Sequence, residues 1–151
     1  MKVIVPTPIT DAMLSSSIAE PSTGEVAWVS GSAYTVGTRR IRATTHRIYE
    51  CVAAVASGVT TLPEADSAHW LDVGPTNRWA MLDGVVNTQS QATSSITVTL
   101  TPGIVDSLSL LELVGGSVTI TQKDAPGGTV VYTQTMVLEG SVVLDWYQYY
   151  F

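Results

Sequence analysis

Three features of the sequence predict an all-β protein. Val and Thr each occur 20 times and Ser 15 times among 151 residues, and β-branched side chains suit a pleated, half-buried surface. Ile96, Val98 and Leu100 alternate with Thr97, Thr99 and Thr101, the two-residue period of a strand with one face covered. Charged residues make up 13% of the chain, about half of the roughly 25% usual in soluble proteins. The polar surface is therefore mainly hydroxyl, with few ion pairs.

The elements follow in order along the chain. Val3–Val5 reads as a terminal strand stopped by Pro6 and Pro8. Residues 10–14 read as a capped helical turn or bend, and 15–24 (SSSIAEPSTG) as loop. Short strands are expected at 33–35, 40–43 and 46–53, separated by Gly31, Gly37 and Gly58, with 57–69 a connection closing on Trp70. Arg40 and Arg42 fall on one face of their strand, with Ile41 opposite. Val118, Ile120 and Gln122 continue the alternation, and Ala125-Pro126-Gly127-Gly128 turns the chain before Val130-Val131-Tyr132. The leucines of 105–114 fit a buried strand better than a helix, since Gly115-Gly116 follows at once. The last six residues hold five of the eleven aromatics, which predicts either a buried strand or a chain that continues past Phe151.

Composition excludes several classes. A net charge of −6 with seven basic residues gives no electrostatic footprint for nucleic acid or an acidic membrane. A chain that is 45% hydrophobic has the apolar surface to fold. MKVIVPTPIT is too short in apolar residues for a signal sequence, and no stretch approaches the ~18 apolar residues of a membrane span. Cys51 is the single cysteine and has no disulfide partner within the chain.

Catalytic patterns are scarce. His46 and His69 lie 23 positions apart without metal-ligand spacing, and neither a nucleophile elbow nor a phosphate-binding loop occurs. The expectation is no enzyme, no metal and no cofactor. Arg39, Arg40, Arg42 and Arg47 gather four of the seven basic residues within nine positions. They form either a solvated sheet face or a patch for an anionic partner, an acidic glycan or a neighbouring subunit. In 74–84 (GPTNRWAMLDG), Asn77 and Asp83 are candidate sugar or ion ligands over Trp79. The alternative places Gly74-Pro75 and Asp83-Gly84 in turns and Trp79, Met81 and Leu82 in a core, with Arg78 on a carboxylate or an adjacent subunit.

Two resemblances rest on these residues. Trp28, Tyr34-Thr35-Val36-Gly37, Ile41, Tyr49, Pro63 and Trp70 resemble the small chitin- and cellulose-binding modules of bacterial chitinases and cellulases, over about 45 residues. The resemblance makes Trp28, Tyr34, Tyr49 and Trp70 candidate glycan-binding residues. Where those modules expose further aromatics after the middle tyrosine, this chain has Val52-Ala53-Ala54-Val55, which favours a core role for the four rings. Over nearly the whole length, IVPTPITDAML, HRIYECV, WLDVGPTNRWAMLDG, SSITVTLTPGIVDSLSLLELVGGSVTI, VVYTQT and DWYQYYF resemble tail and baseplate-associated proteins of tailed bacteriophages.

That resemblance implies a jelly-roll-like β-sandwich with a small inserted β module. Residues 1–23 would supply its first strand and arm, 24–73 the module, and 74–151 the rest of the sandwich, truncated if the chain continues. The implied function is a non-enzymatic structural component of a tail tip or baseplate, assembled in the host cytoplasm and resident in the virion. It would hold other tail proteins in a symmetric assembly and present its module to the host surface, with Arg39, Arg40, Arg42, Arg47 and Arg78 as candidate interface residues. Neither nucleic acid nor membrane insertion is expected. A host-receptor or glycan-binding tail protein is the alternative, and a carbohydrate-binding accessory domain of a glycan hydrolase the third reading.

Overall fold

The structure, a computed structural model, describes residues 6–85 and 87–138. The expected strand at 3–5 and the aromatic run at 146–151 lie outside the described residues. The chain is all-β. Its described strands are β1 (Leu14–Ser16), β2 (Arg39–Arg42), β3 (Arg47–Cys51), β4 (Trp70–Pro75), β5 (Val98–Leu100), β6 (Ser117–Lys123) and β7 (Val130–Val137). They form three antiparallel sheets: β1-β5, β2-β3-β4 and β6-β7. Short 3-10 turns at Asp11–Met13, Pro63–Ala65 and Ala80–Leu82 are the helical segments among the described residues. The described residues up to Pro102 belong to one compact unit, and those from Gly103 onward to a second.

In the first unit, β1 and β5 pair across the chain that lies between them, Leu14 opposite Leu100 and Ser16 opposite Val98. Residues 15–16 are therefore strand rather than loop. Serine has little strand preference of its own, but β5 supplies a ladder from far along the chain, and a distant partner overrides local propensity. Ser17 N–H donates to the Thr97 carbonyl at 2.9 Å, and Thr97 N–H returns to Ser17 Oγ at 3.0 Å. The turn at Asp11–Met13 precedes β1, and the Thr10 side chain makes no capping bond to it.

The middle sheet is a meander. Ile41 lies opposite Ile48, and Cys51 opposite Trp70. His46 closes the β2–β3 turn at φ 55°, a left-handed conformation uncommon outside glycine, in which asparagine, aspartate and histidine are enriched. The β3–β4 register jumps so that Ile48 faces Gly74 while Tyr49 faces Asp72. Val73 is the extra residue of this bulge, and Gly74 at φ 144° supplies a backbone that other residues rarely adopt. Gly74-Pro75 thus ends a strand instead of making the expected turn. Residues 33–35 contribute one bridge, Tyr34 to Val55, with N–H to carbonyl bonds of 2.9 Å in both directions.

On one side of this sheet sits a small core of Tyr34, Tyr49, Cys51, Val55 and Trp70, with Trp28 and Val59 against it. The rings of Tyr34 and Trp70 meet edge to face, centroids 5.1 Å apart, the arrangement their quadrupoles favour. Tyr34 Oη accepts Val29 N–H and donates to the Val29 carbonyl, each at 2.8 Å.

The second unit is built on the β6–β7 hairpin, turned through 124–129. Asp124 Oδ1 accepts Thr129 N–H at 2.8 Å, and Gly127 holds φ 73°. Residues 104–114 form neither helix nor strand, and Leu108, Leu110, Leu111 and Leu113 are all exposed. The buried strand expected there is absent. Consecutive leucines at 110 and 111 point to opposite sides of any strand, and no sheet within the described residues pairs with this stretch.

Candidate functional site: an arginine-braced sheet and a half-buried histidine hub

The four clustered arginines all reach the middle sheet, and each is engaged within the chain. Arg39 Nε donates to Glu50 Oε2 at 2.7 Å across β2–β3. Arg42 reaches Glu64 through Nη2 at 3.1 Å and stacks its guanidinium over Trp28, 5.2 Å from the ring centroid. Arg40 lies 5.3 Å over Tyr34 and donates to the Arg39 carbonyl. Both stacks are within the range of a cation–π contact. Arg47 pairs with Asp72, Nη2 to Oδ1 at 2.8 Å and Nε to Oδ2 also at 2.8 Å. That hydrogen bond is the main reason the Arg47 guanidinium titrates above its ordinary range, with partial burial opposing it and the Asp72 charge adding to it. Asp72 Oδ1 also accepts Gly74 N–H at 3.1 Å, so one carboxylate anchors both the bulge and the arginine.

The candidate glycan-binding aromatics fall on the covered side of the same sheet. Tyr34, Tyr49 and Trp70 are buried in the core, and Trp28 is half-buried beneath Arg42. Their positions build the sheet's support. Cys51 is fully buried among them, with its thiol 3.0 Å from the Ala53 carbonyl.

A second cluster joins three segments far apart in sequence. His46 presents Nδ1 to Glu20 Oε2 at 3.0 Å and Nε2 to Asp11 Oδ1 at 3.1 Å. Glu20 is nearly buried and also accepts a 2.6 Å bond from Thr76 Oγ1, the hydroxyl of a fully buried residue. Thr76 N–H in turn donates to the His46 carbonyl at 2.8 Å. Arg78 Nη1 donates to the Ile18 carbonyl at 3.1 Å, so this candidate interface residue ties down the 11–20 arm. Asn77 N–H donates to Glu25 Oε1 at 2.7 Å. Its side chain is matched to the Gln91 backbone, Nδ2 to the carbonyl at 2.9 Å and Oδ1 to N–H at 2.7 Å. Asp83 Oδ1 accepts Val85 N–H at 2.9 Å. Asn77 and Asp83 thus hold a loop, and Trp79 stacks on His46.

An open groove of about 890 Å³ is lined by Arg39, Arg47 and Asp72 of the middle sheet and by Asn77, Asp83 and Gln91 of the segment that follows it. Hydrogen-bonding groups in such a groove suit a polar, hydroxylated ligand more than an apolar one. His69 is paired with Asp66 at 2.9 Å. Among the described residues, no group of three or more His, Cys, Asp or Glu side chains is placed to hold a metal ion, and no helix is long and apolar enough to cross a membrane. Arginine clustering was visible in the sequence. The Glu20–His46–Thr76 connection was not, since 56 residues separate Glu20 from Thr76 and no spacing rule links them. Compared with family models, with characterised proteins and with solved structures, the chain finds no match.

Proposed function

We propose that this chain is a non-enzymatic structural component of the tail tip or baseplate of a tailed bacteriophage, assembled in the host cytoplasm and carried in the virion. It holds neighbouring tail proteins in a symmetric assembly, without nucleic acid and without membrane insertion. One observation carries the assembly reading: the aliphatic side chains of 104–114 stand in water, a surface that soluble proteins reserve for contact with other proteins. The tail setting rests on the sequence resemblance. The jelly-roll-like sandwich belongs to the same proposal. Two of the described sheets, β1-β5 and β6-β7, are two-stranded, and two-stranded sheets need further strands or a covering layer to be stable.

Fractionation of phage-infected or prophage-induced cells tests this. The chain is expected in purified virions or tail intermediates by mass spectrometry, and its confinement to particle-free fractions would end the reading.

The polar groove favours one alternative, a glycan-binding tail protein. Binding of a host polysaccharide, weakened by Arg39→Ala without loss of folding, is its signature. No binding at millimolar sugar removes it.

A further inference from the structure

We infer that the second unit is a self-association surface, and that residues 104–114 of one copy are covered by a second copy of this chain. Seven of these eleven residues are aliphatic and exposed, Ile104 at 104%, Leu111 at 77% and Val114 at 90%, with Val105, Leu108, Leu110 and Leu113 at 41% or more. Together they present several hundred Å² of aliphatic surface. That is the scale of the roughly 800 Å² per partner covered in a stable interface.

The hairpin beside this run in sequence has the same character. Val118 pairs with Met136 on one face, and Thr119 with Thr135 on the other, their hydroxyls 2.9 Å apart. Val130, Val131, Tyr132 and Val137 are exposed as well. Among the described residues β6 pairs only with β7, so each strand leaves one backbone edge without a strand partner, and a free ribbon of two strands is marginal in water.

The occupant follows from chemistry and area. Between 103 and 138 the charged residues are Asp106, Glu112, Lys123 and Asp124, too few to select a different protein through charge complementarity. Contacts between unlike proteins are about as polar as ordinary surface, whereas contacts between identical subunits are the more apolar class. A second copy brings the same aliphatic run and the same open edges, and closed symmetric pairing covers both at once.

The inference deepens the assembly reading and rests on it for the biological setting alone. Light scattering on the size-fractionated full chain at micromolar concentration should give a mass that is a multiple of 16.0 kDa. Leu111→Asp with Val114→Asp should weaken association at least tenfold while the near-ultraviolet dichroism of the first unit's aromatic core is kept. Should that variant fail to fold, hydrogen exchange of the unaltered chain decides: protection in 104–114 must rise with protein concentration. A monomer at every concentration, whether because a different protein or the chain's own later residues cover the run, overturns the inference. So does an oligomer whose mass the folded variant retains, or whose formation leaves 104–114 unprotected. An oligomer absent from virions would instead keep this inference and remove the tail reading.

Discussion

The imidazole of His46 lies on the indole of Trp79, ring centroids 4.1 Å apart and planes 24° from parallel. The stack closes a cage whose other walls are Glu20 and Asp11, one carboxylate at each ring nitrogen. Through this side chain the arm at 11–20, the β2–β3 turn and the segment after β4 are held to each other. A loss at His46 therefore reaches three segments.

Replacing His46 separates its backbone role from its side-chain role. His46→Asn keeps a residue that tolerates φ 55° but loses the stack and leaves Glu20 with Thr76 alone, a cost of about 2 kcal/mol. His46→Ala loses the same contacts and adds the left-handed backbone penalty of roughly 1 kcal/mol. Urea unfolding followed by tryptophan fluorescence should rank the wild type above Asn and Asn above Ala. Equal stability of all three would show that the cage contributes nothing.

Two neighbouring arginines should differ in weight. Arg39 is mostly exposed, and its pair with Glu50 bridges the surface of the sheet. Such pairs contribute about 0–1 kcal/mol, and Arg39→Ala should fall at the low end. Arg42 is more covered, reaches Glu64 and lies over Trp28. Removing it loses an ion pair, a cation–π contact and the cover of an indole, about 1–2 kcal/mol together. Lys at 42 should restore only part, because a point charge cannot reproduce the guanidinium plane. Thermal unfolding of the three variants checks the order, and a larger loss at 39 than at 42 would refute it.

The elements whose partners lie nearby were legible in the sequence. β2 and β3 are joined by a short turn, and β6 and β7 by a Pro-Gly-Gly turn, so alternation and turn chemistry located them to within a few residues. β1 was not legible, because Leu14–Ser16 becomes a strand only by pairing with residues 98–100. The β4 bulge was hidden for a related reason: Gly74-Pro75 has the composition of a turn, and only the cross-strand register shows that it continues a ladder. At the site, the arginine cluster announced itself by spacing, but its carboxylate partners Glu50, Glu64 and Asp72 lie on other strands or turns. The leucines of 105–114 carried the opposite lesson. Hydrophobicity in a sequence marks a surface that is to be covered, and it does not say by which chain.

Arg47 gives a pH prediction with a defined sign. Its guanidinium titrates above the ordinary value because it donates to Asp72. A group whose pKa is raised on folding stabilises fully below its unfolded pKa, and that contribution is lost only as pH climbs through the higher folded value. For a guanidinium both lie beyond the alkaline end of the range in which unfolding is followed. The destabilisation caused by Arg47→Ala should therefore stay constant between pH 8 and 11, at about 0.5–1 kcal/mol for a partly exposed pair. Difference measurements in urea at several pH values cancel the other titrating groups. A gap that closes toward pH 10 would mean that Arg47 acts through a neighbour that titrates there.

Gly128 tests how tightly the β6–β7 turn is built. A Cβ placed on Gly128 would collide with Asp124 Oδ1, the atom that accepts Thr129 N–H at 2.8 Å. Gly128→Ala must push that carboxylate aside, costing the turn about 1–2 kcal/mol through the lost charged hydrogen bond. The effect should appear as faster hydrogen exchange at the β6–β7 ladder amides, with the β2–β3–β4 amides unchanged. Asp124→Ala alone loses the same bond without the collision. Combined with it, Gly128→Ala should cost less than it does alone, because only the 3.1 Å approaches to the Ala125 backbone remain, a non-additivity expected of residues that share one contact. Full additivity of the two substitutions would show that Gly128 is required for some reason other than Asp124.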